Sequence, residues 1–302
     1  MSDGTGIAWT DATWNPVTGC SKVSPGCQHC YAARDWNRHY GRQMVPRGVN
    51  LAADLRHSME NGGEPFDERP RVFGDVMCHG DRLDQPLRWR KPRRIFVNSM
   101  SDLFHDDVPD DFIEEVFRVM YMAQQHQFQV LTKRPERMRD FMHAFLSRRD
   151  EAEAAGYYGT HVRSWPPPPN VWLGVSIENQ GYAHERVPVL MRTPAAVRFL
   201  SVEPLLGPIN FSFHMPEWDP LPDWVIVGGE SGPKARPMAL SWARSIVRQC
   251  RGAEIPVFVK QLGARPRSVI GDVPLKHRAG ADPSEWPQDL QVQEYPAVKV
   301  AG

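Results

Sequence analysis

The chain has 302 residues, 41% hydrophobic and 24% charged, which is globular composition with length enough for one large core. Lys+Arg and Asp+Glu both number 36, so zero net charge excludes a global basic field and leaves only local patches for nucleic acid. No run of about 18 apolar residues is present, which excludes a membrane-spanning helix by pattern.

The first six residues, Met1-Ser-Asp-Gly-Thr-Gly, carry neither a basic nor an apolar signal region, and the expectation is a non-secreted chain. The five cysteines are odd in number, so a reducing cytoplasmic compartment is expected rather than a disulfide framework. Taken in chain order, the segment before Cys20 reads as a first strand and residues 31–45 as a first helix. Nearly continuous apolar runs follow at 95–98, 128–132, 171–177, 197–202, 224–228 and 256–260. Such runs suit parallel strands buried on both faces. Residues 110–125 place Phe112, Ile113, Val116, Phe117, Val119 and Met120 at helical spacing after Pro109, and residues 239–251 read as a helix stopped by Gly252. Residues 148–169, ending in four prolines, read as an insertion between units. Strands and helices alternate at βα spacing over seven or so units. The fold class is therefore α/β, a full or partial (β/α) TIM-like barrel, with an open doubly wound sheet as the alternative. Residues 1–263 form that unit; residues 264–302, rich in Pro, Gly and charge, read as a C-terminal tail or cap.

Each apolar run ends in polar residues: Asn98, Ser99, Ser101 and Asp102; Lys133 and Arg134; Ser176, Glu178 and Asn179; Ser201 and Glu203; Gly228, Gly229 and Glu230; Lys260 and Gln261. In a βα barrel such ends converge on one face and build the active site.

Three cysteines fall within eleven residues, Cys20, Cys27 and Cys30, spaced C-x6-C-x2-C. Three thiolates suit a soft metal or a cluster. A [4Fe–4S] cluster held by three rather than four Cys leaves one iron open to a ligand. Zinc with His39 or His29 as fourth ligand is a second reading, and structural cysteines without metal a third. Cys78, followed by His79, is a candidate fourth ligand or thiol; Cys250 lies late in a helix and reads as packing.

The cysteine segment resembles the radical S-adenosylmethionine signature, C-x3-C-x-aromatic-C, with a longer first gap and His29 at the aromatic position. The whole chain resembles the phage Gp37/Gp68 family (DUF5131). The resemblance is carried by Trp14-Asn-Pro-Val-Thr-Gly-Cys20, Ser24-Pro-Gly-Cys27-x-x-Cys30-Tyr-Ala, Asn98-Ser-Met-Ser-Asp-Leu-Phe-His105, Leu131-Thr-Lys-Arg-Pro, Trp172-Leu-Gly-Val-Ser-Ile-Glu-Asn179, Arg198-Phe-Leu-Ser-Val-Glu-Pro-Leu205 and Trp224-Val-Ile-Val-Gly-Gly-Glu-Ser231.

The radical S-adenosylmethionine resemblance implies a [4Fe–4S] cluster on Cys20, Cys27 and Cys30, with S-adenosyl-L-methionine as the second cofactor. It also implies an external electron donor and a 5′-deoxyadenosyl radical that abstracts hydrogen from the substrate. Asn98, Ser99, Ser101, Asp102, Ser176, Glu178, Asn179, Gly228 and Gly229 are then the candidate cofactor-binding residues. Glu203, Glu230, Lys133 and His105 are the catalytic candidates. Two basic segments, 88–94 around Trp89 and 132–139, offer phosphate contacts with stacking, against a solvated basic face as the bland alternative. The phage association of the resembled family implies modification or repair of a nucleic acid or nucleotide. A zinc-stabilised nucleic-acid-binding protein without redox chemistry is the competing expectation.

Overall fold

The structure, a computed structural model, describes residues 5–64, 66–154, 167–211 and 220–297. Seven parallel strands form one sheet: β1 (Ala12–Trp14), β2 (Arg94–Val97), β3 (Gln127–Thr132), β4 (Val171–Ser176), β5 (Val197–Val202), β6 (Trp224–Gly228) and β7 (Val257–Gln261). They lie side by side in chain order, and every pairing is parallel. A doubly wound sheet reverses its strand order at a switch point. This one never reverses, so it curls into a half-barrel with β1 and β7 as its edges.

Four helices cover the convex side: α1 (Asp110–Met122), α2 (Pro135–Ala154), α3 (Gln180–Met191) and α4 (Leu240–Gly252). Period-two alternation along each strand sorts the side chains. Val97, Val130, Val175, Val202, Val227 and Val259 pack under the helices with Ile113, Val116, Phe117 and Ile246. Phe96, Trp172, Phe199, Trp224, Ile226 and Phe258 form a second core on the concave side. The strands are thus buried on both faces, and this is why their sequence is continuously apolar.

Two expectations need correction. The helix expected over 31–45 is two short turns, Tyr31–Arg34 and Trp36–His39, broken at Asp35; residues Met44–Pro46 are a strand paired with Glu68–Pro70. A buried ion-pair set, Arg69 with Asp54 at 2.6 Å and with Asp75 at 2.7 Å, ties this excursion together. The insertion expected over 148–169 begins later, because α2 runs to Ala154; residues 155–166 lie outside the described part. Residues 264–297 fold back on the half-barrel. Trp286, Leu290 and Val292 are buried, Val259 N–H donates to Val292 O, and Tyr295 stacks on Trp224 at 5.3 Å.

Candidate active site

The cysteine loop leaves β1 and is pinned at several points. Gly19 donates its N–H to Met100 O and has φ +93°; a Cβ there would stand 2.2 Å from Asp75 O, so only glycine fits. Pro25–Cys27 forms a 3-10 turn, and Cys30 precedes the Tyr31–Arg34 turn. Ser24 donates to Glu178 Oε1 at 2.7 Å, and a Cβ on Gly26 would stand 2.3 Å from that same oxygen. The turn therefore lies flat on the buried Glu178 carboxylate. That carboxylate also meets Arg186 at 3.4 Å and Lys133 at 3.9 Å. His29 Nδ1 lies 3.1 Å from Glu230 Oε2, and Arg236 donates to Glu230 from its N–H and Nε and to Gln28 Oε1 at 3.3 Å. Two of the candidate site carboxylates thus brace the loop that carries the thiols.

Cys20, Cys27 and Cys30 open onto one cavity of about 140 Å³ at the C-terminal ends of β2, β3 and β4. Asn98, Ser99, Ser101, Asp102, Lys133 and Ser176 line the same cavity. Asn98 has φ +61°, a left-handed conformation that asparagine tolerates best among residues with a side chain. Its Oδ1 accepts from Val17 N–H at 3.2 Å, while its buried Nδ2 has no protein partner. An orphaned buried donor beside a cavity is a place for a ligand acceptor. Ser99 donates to Asn15 and Ser101 to Val17 O, so their hydroxyls serve the β1–β2 connection first.

Asp102 is saturated. It accepts from Phe104 N–H, Thr132 Oγ1, Lys133 N–H and Arg134 Nη1. It thereby joins the ends of β2 and β3 and aims Arg134, whose Nη1 reaches Cys20 Sγ at 3.9 Å and whose Nη2 donates to Ser21 Oγ at 2.9 Å. Burial and the Asp102 charge push the Cys20 thiol up to about 12, with Arg134 acting the other way. Burial also opposes the Cys27 thiolate, but Lys133 and hydrogen bonds from Val23 and Ser24 bring it below the usual thiol range. Three thiols, two cations that offset thiolate charge, and an unpartnered amide form a donor set that fits a soft, thiolate-held group. Among the described residues, no three His, Cys, Asp or Glu side chains converge on the span of a single ion.

The remaining candidates stand outside the cavity lining. His105 lies behind the loop: its Nδ1 accepts from Asp107 N–H, so Nε2 carries the proton toward Ser21 Oγ at 2.7 Å. Burial and Arg134 hold its pKa below the usual histidine value. Asn179 is the N-cap of α3, accepting from Tyr182 N–H. Glu203 pairs with Lys260 at 2.8 Å and accepts from Gln261 at 2.8 Å. Gly228 faces Glu203, and Gly229 lets the β6 and β7 ends approach, since a Cβ would meet Leu262 O at 2.5 Å. Of the candidate zinc ligands, His29 turns to Glu230, and His39 is exposed at the end of its short helix. Cys78 is paired to Val17 in a small strand, and Cys250 is buried on the core face of α4.

The basic segments are largely committed within the fold. Arg88 pairs with Asp84, Arg94 with Asp11, and Arg93 lies 5.0 Å from the Trp89 ring, all near the N-terminal end of β2 and away from the thiols. Arg134 is bound to Asp102, Arg137 to Asp110 and the His105 carbonyl, and Arg139 to Asp140. What sequence reasoning missed are the braces of the loop, Ser21, Ser24 and Arg236. Their partners lie between 6 and 154 residues away, with no local signal.

Fold and site together define an open (β/α) half-barrel protein with a three-cysteine cavity at the C-terminal ends of its strands. The chain belongs to DUF5131, a family described as of unknown function, whose model matches residues 4–287. It matches no curated protein and no solved structure at a significant level. No helix among the described residues is long and apolar enough to cross a membrane.

Proposed function

We propose that this chain is a radical S-adenosylmethionine-type enzyme, with a [4Fe–4S] cluster held by Cys20, Cys27 and Cys30. The observation that carries the reading is one cavity lined by all three thiols and by Asn98, whose buried amide donor has no protein partner. When bound, the cluster and S-adenosyl-L-methionine supply one-electron cleavage of a sulfonium and hydrogen abstraction from a substrate.

The chain's own residues do the rest. Glu178 and Glu230 hold the cysteine loop from opposite sides, fixing thiol positions before any ligand arrives. Arg134 and Lys133 set positive charge beside Cys20 and Cys27, which favours the thiolate forms a soft metal requires. Asn98 lines the cavity, and its buried Nδ2 is a donor without a protein partner next to it. The aromatic layer beneath it, from Trp172 to Trp224, closes the far end of the concave face to water.

The test is anaerobic purification, reconstitution with iron and sulfide, and addition of dithionite with S-adenosyl-L-methionine, with Cys27→Ala alongside. 5′-Deoxyadenosine formed by the native chain and absent from the variant is expected. A colourless protein carrying one zinc and giving no product overturns the reading.

A further inference from the structure

We infer that the hairpin at the end of the half-barrel is a wedge that binds double-stranded nucleic acid, with Val269 and Ile270 entering the base stack and Arg265, Arg267, Lys276 and Arg278 on the phosphates. Val269 is 99% and Ile270 96% exposed, the two most exposed large apolar side chains of the described residues. They form the whole two-residue turn between the strands Pro266–Ser268 and Gly271–Asp272, in which Arg267 faces Asp272 and Ser268 faces Gly271. The positive φ of this turn falls on Gly271, at +131°, so Val269 and Ile270 sit at the tip without left-handed strain. Neither side chain reaches a core; both point to solvent.

The stem beneath the tip is fixed. Pro266–Ser268 pairs with Met238–Ala239 as well as with Gly271–Asp272, Met238 N–H donates to Arg265 O, and Val273 N–H donates to Pro266 O. Pro266 is buried, and Leu262 N–H reaches Gly280 O where the excursion returns. Between those two anchors Arg265, Arg267, Lys276 and Arg278 are exposed; Arg267 pairs with Asp272 at 3.0 Å, and Glu285 accepts from the Lys276 N–H at 2.6 Å. In a chain of zero net charge this excursion carries four exposed cations along with its apolar tip.

The chemistry selects the partner. Apolar side chains driven between base steps, with cations on the adjacent phosphates, are the means by which architectural proteins kink a duplex. A bilayer anchor needs a larger apolar face or a second lipid signal, and only two side chains are offered. The place fits too: Ala264 N–H donates to Glu230 O, and Glu230 holds His29 between Cys27 and Cys30. The wedge thus rises beside the face that carries the cavity, where a displaced nucleotide would be presented to it. The substrate class so named rests on the reaction centre proposed above, whereas the binding itself does not.

The experiment uses the full chain without reconstitution and a short fluorescent DNA duplex carrying 2-aminopurine. Anisotropy should rise on binding and 2-aminopurine fluorescence should rise with it as bases unstack. V269S/I270S should weaken binding about tenfold and abolish the 2-aminopurine signal while leaving the salt slope unchanged. R267Q/K276Q/R278Q should weaken binding and lower the salt slope by about 1 per cation. Both sets alter exposed side chains, and unchanged thermal midpoints will show that they fold. No anisotropy change with the native chain, or equal binding by V269S/I270S, overturns the inference. Tip-dependent binding to phosphatidylserine vesicles without duplex binding overturns it in favour of a membrane. Absence of 5′-deoxyadenosine in the earlier assay leaves this result standing.

Discussion

The two ends of the concave face are built by the same strands and differ in everything that follows from side-chain chemistry. At the lower end Trp9, Trp172, Phe199, Trp224 and Phe258 pack together, with Trp172 edge to face on Trp224 at 5.8 Å and Trp9 edge to face on Trp224 at 6.3 Å. Tyr295 stacks over this layer, and Trp224 Nε1 donates to Glu294 O. At the upper end, two to four residues further along, Ser176, Ser201, Gly228 and Lys260 replace the rings, and the thiols stand above them. At the lower end the C-terminal segment satisfies Trp224 Nε1, while Trp9 Nε1 and Gln129 Oε1 have no partner but lie in close packing. The upper end keeps an unpartnered donor beside open volume. One end is a packed aromatic core and the other holds the open volume, on the face where βα barrels place their functional residues.

That division can be broken from either end. The largest effect is expected from Trp224→Ala, which should cost about 3–5 kcal/mol by urea denaturation through the cavity it opens. The folded fraction should still take up iron. Glu178→Ala should cost about 3 kcal/mol by leaving Arg186 without its buried partner. Here iron uptake should fall as well, because Ser24 and the Cys27 turn lose their support; unchanged iron would refute the bracing role.

His79 gives a smaller, pH-dependent effect. Burial lowers its pKa to about 4, with Arg82 and Arg71 acting in the same direction, and its Nε2 meets Thr18 Oγ1 at 2.7 Å. The unfolded chain therefore binds the proton first. Stability should fall as pH drops from about 6.5 to about 4, by about 1–2 kcal/mol once partial exposure is discounted. His79→Gln should flatten the urea midpoint across that window. The smallest effect separates two thiols of one loop. In the metal-free protein Cys27 should be alkylated faster than Cys20, because thiolate is the reactive form. Lys133→Met should raise the Cys27 pKa and slow its alkylation at pH 7 severalfold, read by peptide mass spectrometry.

The residues that sequence reading brought to the site are those whose role is local. Val171–Ser176 and Val197–Val202 declare themselves as strands because burial on both faces leaves no polar position. Cys20, Cys27, Cys30, Asn98 and Ser176 follow because chain order places strand ends on one face. Glu178 and Glu230 were legible as site residues but not as braces. A carboxylate at a strand end looks the same whether it meets a ligand or a neighbouring loop. The ion pairs of the cations in 132–139 are hidden for the same reason, since Asp102, Asp110 and Asp140 that engage them are scattered in sequence.

By itself, then, the sequence determined the βα alternation, the parallel strands, the pole that carries polar residues and the three thiols. These depend on periodicity and on spacing along one chain. Tertiary structure decided that the barrel stays open, which carboxylates hold the cysteine loop, that Asn98 keeps a free donor, and that Val269 and Ile270 stand exposed at a hairpin tip. Each of these depends on what a residue meets across the fold, and contact partners far apart in sequence leave no mark on local pattern.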